Sequence, residues 1–182
     1  MKITSGEFKY RNIEVPKGIR PTTEKVREAV FSMIREWIPG ACVCDLFAGS
    51  GAMGLEALSR GADKCWFSEL SRQNYRVLLG NIENCRAGDR SVVINSDYRS
   101  AIAKITDRLD VVILDPPYDQ TGYYEDALSL LQERELLDEG SVVVAEHLYD
   151  NPLSETYENL VRIKEKKYGS IGVDVYIFEQ SY

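Results

Sequence analysis

A chain of 182 residues is long enough for one sizeable hydrophobic core and short for two. Its apolar and charged fractions, 44% and 28%, are those of an ordinary soluble globular protein, and no apolar run reaches the length of a membrane span. Met1–Glu7 lacks the apolar stretch of a signal peptide, so a cytoplasmic protein is expected, and the net charge of −7 argues at first against a nucleic-acid partner.

In chain order, Lys2–Ser5 and Phe8–Val15 read as a short hairpin through Gly6. Thr23 to about Trp37 reads as a helix. Val26, Ala29, Val30, Met33, Ile34 and Trp37 recur at helical spacing, with Pro21-Thr22-Thr23 as a start signal and Pro39-Gly40 as a stop. From Ala41 strands and helices alternate. Candidate strands are Ala41–Phe47, Lys64–Glu69, Ser91–Ser96, Asp110–Asp115 and Ser141–His147. Candidate helices are Ala52–Arg60, Ser71–Asn84, Arg99–Thr106, Tyr123–Glu133 and Leu153–Leu160. Such alternation predicts an α/β fold with a doubly wound, mostly parallel sheet. Arg162–Tyr168 and Val173–Glu179 are too close for a helical crossover and must pair as an antiparallel hairpin. Residues 1–40 form an N-terminal extension on a domain spanning 41–182.

Charge separates these two parts. Residues 1–40 carry eight Lys or Arg against five acids, and the remaining 142 carry 14 against 24. The extension is therefore the candidate contact for a polyanion, although charge alone is better explained by a solvated surface. Cys42, Cys44, Cys65 and Cys85 lack the spacing and histidine partners of a metal site and read as free, mostly buried thiols. No metal is expected.

The first predicted strand leads into Asp45-Leu-Phe-Ala-Gly49-Ser-Gly51-Ala-Met-Gly54. These glycines fit the dinucleotide fingerprint, which brings backbone and a helix N-terminus close to a ligand. Asp45 precedes the glycines, where it would oppose a pyrophosphate and suit the cationic methionine portion of S-adenosylmethionine. Glu69 closes the second strand, placed for ribose hydroxyls. Asp97 closes the third, placed for an adenine amino group with Tyr98 against the ring. Any one such acid is also explained by helix capping or turn chemistry.

The fourth strand ends in Asp115-Pro116-Pro117-Tyr118. Prolines cannot continue a strand, so the chain leaves the sheet at its C-terminal edge, where open α/β sheets bind ligands. An aryl amine is a poor nucleophile because its lone pair is delocalised. Asp115 and the Pro116 carbonyl can each accept an amino hydrogen, helping to localise that pair. The prolines stiffen these acceptors, and Tyr118 can stack on the base. Tyr123 and Tyr124 read as the start of the next helix, His147 as incidental, and Trp37 and Trp66 as packing.

The stretch from Asp45 to Ala62, with Asp115–Tyr118, resembles the class I S-adenosylmethionine-dependent methyltransferases. Arg20-Pro-Thr-Thr-Glu-Lys-Val-Arg-Glu28 resembles the signature of the bacterial 16S ribosomal RNA guanine-N2 methyltransferases. The resemblance implies a Rossmann-like sheet of seven strands. It implies cofactor contacts at Asp45, Phe47, Gly49, Gly51, Glu69, Asp97 and Tyr98, and catalysis at Asp115, Pro116, Pro117 and Tyr118. It implies that Arg20, Thr22, Thr23 and Arg27 face RNA. The acidic charge makes a partly assembled small ribosomal subunit a more plausible substrate than naked RNA, and a monomer is expected. The alternatives are an N6-adenine DNA methyltransferase, a non-catalytic RNA-binding assembly factor and an NAD-dependent oxidoreductase.

Overall fold

The computed structural model describes residues 1–18, 22–117 and 120–180. Eight strands form one sheet in the order β3-β2-β1-β4-β5-β8-β7-β6. These are β1 (Cys42–Asp45), β2 (Lys64–Ser68), β3 (Ser91–Ile94), β4 (Leu109–Leu114), β5 (Leu137–Leu148), β6 (Thr156–Tyr157), β7 (Leu160–Tyr168) and β8 (Ile171–Phe178). The helices are α1 (Glu24–Met33), α2 (Ala52–Ser59), α3 (Arg72–Asn84), α4 (Tyr98–Lys104) and α5 (Gly122–Glu133). The strands β1 to β5 pair in parallel, and β8 runs antiparallel to both β5 and β7. This is the Rossmann-like sheet with a C-terminal hairpin that the sequence predicts.

Period-two alternation sorts the strand residues onto two faces. Val43, Phe67, Val111, Ile113 and Val144 enter one core with α1, α2 and α3, while Cys44, Trp66, Val112, Leu114 and Val143 enter the other with α5. The strand order reverses direction of winding between β1 and β4, which pair from Val43↔Val111 to Asp45↔Ile113. A crevice opens beyond the strand ends at such a point.

Two expectations are corrected. Leu153–Leu160 is not a helix: Thr156–Tyr157 pairs antiparallel with Leu160–Val161, adding an eighth strand to the implied seven. The apolar spacing there imitates a helix. Instead, Glu158 adopts φ +56°, turning the chain back, and Tyr157 packs edge-on against Tyr176 at 5.6 Å. The N-terminal hairpin is reduced to a single bridge, Lys2↔Asn12. Nor do residues 1–40 stand apart by packing, since Ile3, Phe8, Ile13, Val30 and Ile34 share a core with β1 and α2.

Glycines 51 and 54 set how closely α2 approaches the sheet. Gly51 has φ +84°, and a Cβ there would lie 2.3 Å from Leu78. A Cβ on Gly54 would lie 2.3 Å from the Phe67 ring and 2.8 Å from Cys65 Sγ. Gly54→Ala is expected to destabilise the fold by about 1–3 kcal/mol through overpacking, despite alanine's better helix propensity. Equilibrium denaturation checks this; unchanged stability would contradict so close a helix–sheet contact.

Candidate active site

The parallel strands deliver carboxyl groups to one edge: Asp45 from β1, Glu69 after β2, Asp97 after β3, Asp115 after β4 and Glu146 in β5. All but Glu146 line a cavity of about 660 Å³, together with Phe47, Gly49, Leu70, Tyr98 and Tyr123. That volume is in the range of small-molecule sites. A larger cleft of about 830 Å³ lies between α5 and the 151–158 segment, and neither the glycine loop nor Asp115 lines it.

Asp45 is 2% exposed, and its Oδ2 accepts a hydrogen bond from the Gly54 amide at 3.0 Å. Burial pushes its pKa up to about 7, against the lowering effect of that amide and with a further raise from Glu69. Glu69 accepts from the Gly49 amide at 2.9 Å and from the Ser71 amide at 2.8 Å, tying the glycine loop to the start of α3. Asp97 caps α4, its Oδ1 accepting from the Ser100 amide at 2.8 Å. Capping and cavity lining thus coexist in one residue.

Phe47, Tyr98 and Tyr123 form an aromatic cluster with centroid separations of 5.5, 5.8 and 4.8 Å. The Tyr98 hydroxyl donates to Asp126, and burial pushes its pKa up to about 12, with Asp126 adding to the shift. Tyr123 therefore contributes to the cavity as well as to α5, more than a helix start. Tyr124 is buried and donates its hydroxyl to the Glu146 carbonyl at 2.7 Å.

Asp115 is half-buried, and the Leu114↔Ala145 pairing sets it beside Glu146 at the ends of the two strands. Burial first, then Glu146, raises its pKa well above the usual carboxylate range. The Pro117 carbonyl accepts from the Gln120 amide at 2.9 Å, and no described donor reaches the Pro116 carbonyl.

The remaining expected positions divide. Thr22 lines the cavity and donates to Glu146 Oε2 at 3.0 Å. Thr23 is exposed and caps α1, accepting from the Val26 amide at 3.2 Å. Arg27 is a correction: it is fully buried, so it cannot face RNA, and it pairs with Glu56 at 3.0 Å. Gly51 turns the chain toward Leu78 and does not line the cavity. Arg20 and Tyr118 lie outside the described residues. Glu146 was missed, although it ends the fifth strand just as the other acids end theirs. His147, read as incidental, is buried in a network, its Nε2 lying 3.1 Å from Asp174.

A family profile described as conserved hypothetical protein 95 matches residues 1–177. The chain is 34% identical to ribosomal RNA small subunit methyltransferase D of Escherichia coli strain K12, covering 97% of this chain and 89% of that protein. It is 33% identical to the protein of the same name from Haemophilus influenzae, covering 97% and 93%. The chain belongs to this methyltransferase family. A solved Escherichia coli structure described as a candidate methyltransferase, yhhF, superposes with a TM-score of 0.89 at 34% identity, covering 98% of both chains.

The donor set of this methyltransferase fits S-adenosylmethionine. Asp45 and Glu69 offer acceptors for a cationic and a hydroxylated portion, and Phe47, Leu70 and Tyr98 offer apolar walls for a flat base. Asp45 gives the fit a measurable signature. A cation bound beside it favours the ionised carboxylate. Burial favours the protonated carboxyl in the free protein, so binding of a cation beside it should release a proton. Cofactor affinity is expected to weaken as pH falls below about 7. Calorimetry in buffers of different ionisation heat checks this; proton-neutral binding between pH 5 and 7, on the order of the shift's span, would contradict it.

Proposed function

We propose that this protein transfers a methyl group from S-adenosylmethionine to the exocyclic N2 of a guanine in 16S ribosomal RNA, within an assembled or partly assembled small subunit. The observation that carries the reading is the juxtaposition of two half-sites along one cavity. The glycine loop with Asp45, Glu69 and Asp97 makes the cofactor half, and Asp115 with the Pro116 carbonyl makes the amine half. When bound, the cofactor supplies an electrophilic methyl on a sulfonium.

The protein's own residues supply position. Asp115 and the Pro116 carbonyl accept the two amino hydrogens and aim the nitrogen lone pair into the cavity. Positioning of this kind supplies ~7–11 kcal/mol of a bimolecular barrier. Tyr118 is assigned the stacking role and Arg20 the RNA contact on their sequence positions. Thr22 joins the two functions, since it leads into α1 and also bonds Glu146. Thr23 and Lys25 are exposed at the start of α1 and take the surface role that Arg27 cannot. The reaction is assigned to the cytoplasm, to a monomer and to a metal-free mechanism. Among the described residues no helix is long and apolar enough to cross a membrane.

Comparing ribosomal RNA from cells with and without the gene tests the reading. One N2-methylguanine of the small-subunit RNA should disappear with the gene. An unchanged set of methylguanines would overturn the assignment.

A further inference from the structure

The hairpin of β7 and β8 turns at the same edge of the sheet as the candidate active site. β8 runs antiparallel to β5, pairing Gly172 with His147 and Ile171 with Leu148, so the turn at Gly169-Ser170 lies beyond the end of β5. The Tyr149 amide donates to the Ser170 carbonyl at 2.8 Å and joins the two. Tyr149 follows Glu146 by three residues, which keeps it within about 11 Å by chain length. Past Arg162 the outer edge of β7 has no partner strand among the described residues, because β6 pairs only with Leu160 and Val161. This edge carries Lys164, Lys166 and Lys167, all exposed. Residues 160–170 hold four bases against one acid, within a domain that holds 14 against 24. That acid, Glu165, is drawn to Arg162 at 3.4 Å. Among the described residues none of the three lysines forms an ion pair. Lys164 is engaged elsewhere, its Nζ donating to the Met33 carbonyl at 2.9 Å and lying 5.3 Å from the centre of the Trp37 ring. Lys167 lies 4.4 Å from the centre of the Tyr149 ring, and Tyr149 is still 48% exposed.

Lysines on an unpaired edge strand also guard against strand-to-strand aggregation. That role accounts for lysines along the edge, but not for the exposed ring that Lys167 flanks. A cation beside an exposed aromatic ring suits a single nucleic-acid strand, with phosphate on the cation and base on the ring. We propose that Tyr149, Lys166 and Lys167 hold nucleotides of the RNA strand flanking the target guanine. The proposal rests on the methyl-transfer reading above and gives it a second RNA contact besides the segment at the start of α1. The two regions are continuous. The Tyr168 hydroxyl reaches Met33 Sδ at 3.9 Å, and Lys164 holds the Met33 carbonyl, so β7 packs on α1. Both contacts also adjoin the end of β5, where Thr22 bonds the Glu146 side chain and Tyr149 follows three residues on. Asp150, next to Tyr149, lowers the local charge without reversing it.

Binding of the full-length protein to small ribosomal subunits from cells lacking the gene, measured across a salt series, tests the contact. Lys166→Gln and Lys167→Gln should each flatten the dependence of log affinity on log salt by about 0.7–0.9, the slope of one phosphate contact. Lys104→Gln, at the far end of α4, should leave that slope unchanged, since a charge so distant is screened. Tyr149→Ala should weaken binding by about 5–100-fold, the range for losing one stacked base. In methyl transfer it should raise KM and keep kcat. Tyr149→Phe keeps the ring and should bind as the parent does. Thermal unfolding should be the same for all of these variants, because the side chains are exposed. A salt slope that neither Lys166→Gln nor Lys167→Gln moves, in a parent that methylates the particles, would overturn the contact alone. Variants that precipitate with an unchanged slope would return these lysines to edge protection. A parent that neither binds nor methylates small subunits would overturn the methyl-transfer reading, and the contact with it.

Discussion

Replacing Asp115 with alanine is expected to slow methyl transfer by about 10²–10³-fold, the usual cost of losing one preorganised electrostatic group. Cofactor binding should survive, because Asp45, Glu69 and the glycine loop are held by their own hydrogen bonds. Stability should survive as well. Asp115 has a raised folded-state pKa, so any stability it contributes lies below its unfolded pKa and is lost as pH rises through the folded value. At neutral and alkaline pH the variant removes a carboxyl whose ionisation burial opposes, and it should unfold no earlier than the parent. Initial rates, cofactor titration and thermal unfolding on the same preparation check all three. A variant that loses cofactor binding and rate together would return Asp115 to the cofactor half of the site. A variant with full activity would remove Asp115 from the catalytic machinery.

Arg27→Ala is expected to cost about 3–5 kcal/mol, the penalty for leaving a buried charge without its partner. That is a large part of the 5–15 kcal/mol typical of a domain. Glu56 is the hub of the N-terminal region. Besides Arg27 Nε, it accepts from Arg60 Nε at 3.0 Å, the Thr4 amide at 3.0 Å and the Ser5 amide at 3.3 Å. Arg27 also donates to the Lys2 carbonyl. Without it, Glu56 keeps Arg60 as its charged partner among the described residues, and the Lys2 carbonyl loses its guanidinium donor. Urea denaturation gives the cost, and hydrogen exchange should show lost protection at Ile3, Tyr10 and Ile13, whose amides bond within this segment. A stable variant that loses only RNA affinity would put Arg27 back on the RNA surface.

The sheet was legible because strands β1 to β5 are apolar runs separated by helical spacing, and the closing hairpin because Gly169 and Gly172 leave no room for a crossover. The cavity lining at Asp45, Gly49 and Glu69 was legible for a local reason: each ends a strand or fills a loop whose geometry follows from its own sequence. Arg27 shows what was not. Its basic neighbours suggested RNA, but its partner Glu56 lies 29 residues away, and only packing brings the two together. Glu146 was hidden for a similar reason. Its side-chain donor, Thr22, lies 124 residues away in sequence. The 153–160 segment failed differently, since three apolar residues at helical spacing also suit a tight strand turn.

The rivals divide on particular features. Asp115 and the Pro116 carbonyl would serve the N6 amine of adenine equally well, so the amine half alone does not exclude a DNA substrate. Near full-length similarity to small-subunit ribosomal RNA methyltransferases favours RNA. An NAD-dependent oxidoreductase has no use for buried Asp45 behind the glycine loop, where a pyrophosphate would meet a carboxylate.

The most direct test is transfer of a labelled methyl group from S-adenosylmethionine to small ribosomal subunits purified from cells lacking the gene. The label should appear on N2 of a single guanine in 16S ribosomal RNA, and Asp115→Ala should slow its appearance by about 10²–10³-fold. Label on adenine, on duplex DNA or on no ribosomal particle at all would contradict the account.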